Sequence, residues 1–150
     1  MMTESTAIDL RGISMTLVCY TRALRLCARM NRETEVLDFI DAIPRGSVLY
    51  DLGSCEGRFA IYAASRGIRV FAFEPEEQNF SALTENLALN PQAREFLRPF
   101  RCAVGRRTES ALLRIGQPWA GGHQRVLAAG SGRFDLAFPE VSTQTVDVVA

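Results

Sequence analysis

Apolar positions in this chain follow two periodicities. Val48-Leu49-Tyr50-Asp51-Leu52 and Val70-Phe71-Ala72-Phe73 are short, nearly continuous apolar runs, the first bounded by Gly46 and Gly53. Runs of this kind predict strands buried on both faces, as in a parallel sheet covered by helices. Elsewhere the spacing is three and four. Leu17, Tyr20, Leu24 and Cys27 predict a helix over 14–30, and Val36, Leu37, Ile40 and Ile43 a second over 33–43, stopped by Pro44. Phe59, Ala60, Tyr62, Ala63 and Ala64 lie on and around the inner face of a third over 57–66, with Gly67 at its left-handed cap. The fourth runs over 76–90: Glu76 and Glu77 fill its first turn, Phe80, Leu83 and Leu87 form its stripe, and Pro91 follows its end.

The remainder is weaker. Residues 1–12 show no pattern and are expected to fray. A third strand is expected over 96–104, with Pro99 marking an edge, and a short strand over 111–115. The glycine-rich stretch 117–133, with Pro118, Trp119 and His123, reads as a long surface loop, and 145–149 as a last apolar run. Alternating helices and strands imply an α/β class, a Rossmann-like fold whose mostly parallel sheet has flanking helices. The expected organisation is a helical segment over 1–45 and a Rossmann-like domain over 46–150.

Composition narrows the function classes. A length of 150 residues suits one domain with a real core. Seventeen basic residues balance 17 acidic ones, so no electrostatic footprint for nucleic acid is expected. The arginine row Arg22, Arg25, Arg29 and Arg32 then reads as a solvated helix face. No stretch nears the ~20 apolar residues of a membrane helix, and Glu4 and Asp9 interrupt any leader pattern. No membrane partner and a cytoplasmic location are the expectations. Cys19, Cys27, Cys55 and Cys102 are scattered, which argues against zinc.

The chemistry concentrates in residues 47–90. The first strand runs into Asp51-x-Gly53-x-x-x-Gly57; the second ends on Glu74, about 20 residues on. Glycine lets a ligand approach backbone closely, and N–H groups at a helix start favour an anionic group. An ionised carboxylate such as Glu74 accepts hydrogen bonds from both ribose hydroxyls. Nicotinamide proteins use G-x-G-x-x-G to bring a pyrophosphate against the helix, whereas here Asp51 puts negative charge at the entrance. That charge repels a pyrophosphate and suits a sulfonium, which favours S-adenosylmethionine over NAD as cofactor.

Asp51–Gly57, followed by Phe73-Glu74-Pro75-x-x-x-Asn79-Phe80-x-x-Leu83-x-x-Asn86-x-x-x-Asn90, resembles the FkbM-type family of class I S-adenosylmethionine-dependent methyltransferases. Cys102-Ala103-Val104-Gly105 resembles that family's segment after the third strand, and Val141–Asp147 its stretch before the fourth. The sequence departs from the family at Cys55, where Asn is usual, and at Ala60, where Ser or Thr is usual. The resemblance implies methyl transfer, often to a hydroxyl of a sugar or small metabolite. It places Asp51, Gly53 and Gly57 by the methionine portion, Glu74 at the ribose with Asn79 supporting that end, and Ala103 at the adenine, and Ser54 and Pro75 are expected cofactor-binding residues beside them. It also implies a pattern continuing past Asp147, so that the chain carries the cofactor half of an incomplete class I fold, with an open sheet edge available for self-association into a homo-oligomer.

No catalytic residue is assigned by the sequence. His123 is a candidate base, Trp119 a stacking residue and Cys55 a nucleophile, each with an ordinary alternative as loop residue, packing anchor or small turn residue. The leading reading is an S-adenosylmethionine-dependent methyltransferase acting on a small-molecule acceptor. A non-catalytic cofactor-binding remnant or self-assembling fragment, and an NAD-binding oxidoreductase domain, stay open beside it.

Overall fold

The structure is a computed structural model that describes residues 4–29, 33–115, 120–121, 125–127 and 140–145. Its centre is a βαβαβ unit. Strands β3 (Val48–Leu52), β4 (Arg69–Phe73) and β5 (Leu97–Phe100) form a parallel sheet in that order. They alternate with helices α3 (Arg58–Ser65) and α4 (Glu77–Leu89). The expected α/β architecture, parallel strands with flanking helices, is thus present. Pro99 lies in β5, which has no second neighbour among the described residues, so its missing N–H leaves no gap in a ladder.

The N-terminal region departs from expectation. Residues expected to fray form β1 (Ser5–Leu10), and the first part of the expected helix over 14–30 is β2 (Ile13–Val18), its antiparallel partner; only α1 (Arg22–Arg29) is helical there. The cause is local. Arg11 and Gly12 both take positive φ (51° and 81°), the backbone of a two-residue hairpin turn. Asp9 Oδ1 accepts from the Gly12 N–H at 2.9 Å, and Leu10 faces Ile13 across the turn. Met15 and Leu17 alternate inward, and their burial outweighs the helical spacing that Leu17 shares with Leu24. Helix α2 (Thr34–Ala42) matches its expectation, and Arg66–Gly67 ends α3 with Gly67 at φ 81°.

One apolar core joins these pieces. Leu10, Met15 and Leu17 of the hairpin, Leu37 and Ile40 of α2, Ala60, Ile61 and Ala63 of α3, Leu83 of α4, and Val70, Ala72 and Leu97 of the sheet pack together. Two buried asparagines of α4 and a third that caps its end, Asn90, supply its polar ties. Asn86 Oδ1 accepts from the Val18 N–H at 2.7 Å while its amide donates to the Glu56 carbonyl at 2.8 Å. Asn90 accepts from the Thr16 N–H at 3.0 Å and donates to the Thr16 carbonyl at 2.7 Å, replacing a strand partner along β2. Asn79 Oδ1 accepts from the Gly121 N–H at 2.8 Å. Buried backbone groups must find partners, and these side chains supply them to the hairpin, the glycine turn and residue 121.

The expected third strand over 96–104 is broken. After β5, Arg101 and Cys102 lead into β6 (Ala103–Val104), which joins a second sheet with β7 (Glu109–Ile115), β8 (Arg125–Leu127) and β9 (Glu140–Gln144) in the order β6-β9-β7-β8. Part of the expected loop over 117–133 is therefore strand β8, and Ala120 is buried. Trp119 and His123 lie outside the described residues, as do Val146–Val149 of the expected last run. The expectation that β3 is covered on both faces is also corrected. Its Leu49 packs on the core, yet Val48, Tyr50 and Leu52 are 43%, 36% and 58% exposed.

Candidate functional site

The carboxyl ends of β3 and β4 lie side by side, with Asp51 opposite Ala72 and Leu52 opposite Phe73. Ligands of open α/β sheets bind beyond such strand ends. The chain leaving β3 turns at Gly53 and is stitched to β4: the Gly53 and Ser54 N–H groups both donate to the Phe73 carbonyl, at 2.8 and 3.1 Å. Glu74 follows. One of its carboxylate oxygens accepts from the Cys55 N–H at 2.8 Å and the other from the Glu76 N–H at 3.0 Å. Glu76 caps α4 in turn, its carboxylate accepting from the N–H groups of Gln78 and Asn79 at 3.0 and 2.9 Å. A buried carboxylate thus spans the glycine turn and the start of the next helix.

The two glycines serve different ends. Gly53 has φ 81°, and a side-chain carbon there would meet nothing within 4 Å, so its bare backbone faces open space. Gly57, at φ 80° ahead of α3, would put such a carbon 2.0 Å from Leu83 Cδ1. Its missing side chain makes room for α4 rather than for a ligand. Cys55 between them also takes positive φ, 51°, a conformation that asparagine tolerates better.

Negative charge converges here. Glu56, Glu74 and Glu76 are buried, and Asp51 is half-buried. Burial raises the Asp51 carboxyl pKa above its ordinary value; hydrogen bonding from Ser54 opposes the shift and the nearby Glu56 charge adds to it. Burial, reinforced by Glu56, also pushes the Cys55 thiol far up and the Cys27 thiol up to about 12. Cys55 is therefore a neutral thiol, which removes the nucleophile reading. Among the described residues no cluster of three or more His, Cys, Asp or Glu side chains suits a metal ion.

A cleft of about 250 Å³ opens between Pro75–Gln78, Arg101 after β5, and Val141 and Ser142 of β9; of the expected cofactor residues only Pro75 lines it. Asp51, Gly53, Ser54, Glu74 and Pro75 thus share one end of the sheet. Asn79 sits one turn into α4 with its amide oxygen on Gly121, and Ala103, buried, pairs with Thr143 in the second sheet. Sequence reading missed Glu76 and Arg101 at the cleft; the acid directly after Pro75, at a helix start, was the available signal for the first.

No protein-family model matches the chain, and no curated protein does. Solved structures similar to it include a SAM-dependent methyltransferase from Agrobacterium tumefaciens, at 13% identity over 67% of this chain and 33% of that one, TM-score 0.46. P. horikoshii TYW2 in complex with MeSAdo is similar at 18% identity over 66% and 36%, TM-score 0.46. The complex of aTrm5 with tRNALeu is similar at 16% identity over 66% and 28%, TM-score 0.46. The chain spans about a third of the length of these structures. The expectation of no nucleic-acid partner is overturned by the last of them, a complex with tRNA. Net charge is a sum over the chain and cannot exclude a local basic surface; all 17 basic residues are arginines. No helix among the described residues is long and apolar enough to cross a membrane.

Proposed function

We propose that the chain binds S-adenosylmethionine at the carboxyl ends of β3 and β4 and supports methyl transfer. One observation carries this reading: Asp51 stands two residues before the open backbone of Gly53, on a strand paired in register with the one that runs into Glu74. A pyrophosphate brought to that turn meets Asp51, Glu56, Glu74 and Glu76, which disfavours NAD. A sulfonium neutralises part of the same field.

The residues present fit that group. Asp51, Gly53 and Ser54 would hold the methionine portion, Glu74 and Pro75 the ribose, and Ala103 the base. Gly57 and Asn79 support them through Leu83 and Gly121. When bound, the cofactor supplies an electrophilic methyl group. This chain's residues would position it, and its anionic turn would contribute to holding the sulfonium there. The acceptor class is the one the FkbM-type resemblance implies, a hydroxyl of a sugar or small metabolite.

Calorimetric titration of the full chain with S-adenosylhomocysteine and with NAD tests the reading. Binding of the first alone is expected, weakened roughly tenfold to hundredfold in Glu74→Gln, the equivalent of about 1.5–3 kcal/mol for a hydrogen bond to a charged group. Preference for NAD, or unaltered binding in the variant, refutes it.

A further inference from the structure

We propose that the face of the parallel sheet carrying the exposed Val48, Tyr50 and Leu52 is a binding surface for single-stranded nucleic acid. The inference is independent of the cofactor site, since it concerns the opposite face of the sheet from α3 and α4. Register places Val48 beside Arg69, Tyr50 beside Phe71 beside Arg98, and Leu52 beside Phe73 beside Phe100. In-register partners share a face, so these eight side chains form one surface.

Its aromatic residues form a stack. Tyr50 and Phe71 lie 5.4 Å apart between centroids, Phe71 and Phe100 6.2 Å, and Phe73 and Phe100 5.2 Å, all with rings within 21° of parallel. Phe73 is buried, while Phe71 and Phe100 are part-exposed and Tyr50 is 36% exposed. Tyr50 stands on β3, which pairs only with β4 among the described residues, so its outer ring face ends the stack. A base placed there continues the stack, a contact open to every base because each has a π-face.

Charge selects this occupant. Arg69 and Arg98, both exposed, are the charged groups on the face, and no acid shares it. Among the described residues neither arginine forms an ion pair; they donate to the carbonyls of Gly46 (3.4 Å) and of Arg94 (3.2 Å). A purely apolar partner would leave two guanidinium groups desolvated and uncompensated, at considerable cost. A strand of nucleotides offers both complements, bases for the rings and phosphates for the guanidiniums. Single-stranded recognition on sheet faces uses this pairing of aromatic stacking with basic side chains.

The test is fluorescence anisotropy of labelled single-stranded RNA and DNA oligonucleotides against the full chain over a salt series, with sedimentation velocity on the same samples. Binding to the single strand in preference to the duplex is expected. Tyr50→Ala should weaken it about tenfold, and Arg69→Gln with Arg98→Gln should flatten the log–log salt slope by about 1.4, near 0.7 per phosphate contact. These three residues are exposed, so circular dichroism should be unchanged. Equal binding by wild type and variants overturns the proposal. So does absence of binding at low salt, or a dimer that Tyr50→Ala dissociates and oligonucleotide does not.

Discussion

The glycine turn makes a quantitative distinction between two residues of the same type. At Gly57 an added side-chain carbon would lie 2.0 Å from Leu83 Cδ1 and 3.2 Å from its Cγ, inside a core where Leu83 is fully buried. Gly57→Ala should therefore cost about 1–3 kcal/mol for overpacking, plus about 1–2 kcal/mol for the left-handed backbone at φ 80°. Leu83→Ala alone should cost about 2–5 kcal/mol. In the double variant the overlap disappears, so only the backbone cost adds to the Leu83→Ala loss. The predicted coupling is about 1–3 kcal/mol, favourable to the pair. Gly53→Ala serves as control, since it carries the same positive φ, 81°, with open space around it. It should cost only about 1–2 kcal/mol. Urea denaturation followed by far-ultraviolet circular dichroism measures all four variants. Additivity within about 0.5 kcal/mol, or a Gly53→Ala loss equal to that of Gly57→Ala, would refute the packing argument.

Asn86→Ala orphans the Val18 N–H and the Glu56 carbonyl. At about 1–3 kcal/mol per buried unsatisfied group, the expected loss is about 2–6 kcal/mol, read by urea denaturation, with faster amide exchange at Val18. Because burial raises the Asp51 pKa, the folded chain binds that proton more tightly than the unfolded chain does. Its stabilising contribution is complete below the ordinary carboxylate pKa and is lost as pH rises through the raised value. Asp51→Asn should therefore flatten the pH dependence of stability in that window and raise stability at neutral pH, while weakening S-adenosylmethionine binding. Denaturation and titration across a pH series check both halves, and a variant less stable than wild type at neutral pH would contradict them.

The central unit was legible because short apolar runs, glycines and a spaced acid are local signals. Asp51, Gly53 and Glu74 were singled out from residue type and spacing, and the structure pairs β3 with β4 in register beside them. The hairpin was not, because the alternation Ile13, Met15, Leu17 overlaps a helical spacing running on to Leu24. Its one local clue was the Arg11–Gly12 turn. The work of Asn86 and Asn90 was invisible for another reason: their partners lie 68 and 74 residues away in sequence. Nor could the exposed side of β3 be foreseen, since an apolar run reads the same whether or not a layer covers it.

Amide-resolved chemical-shift mapping with S-adenosylhomocysteine tests the cofactor site most directly. Shifts confined to Asp51–Gly57, Glu74–Gln78 and the neighbourhood of Arg101 are predicted, diminished in Glu74→Gln. Saturating ligand that leaves those amides unmoved, or moves others instead, would contradict the account.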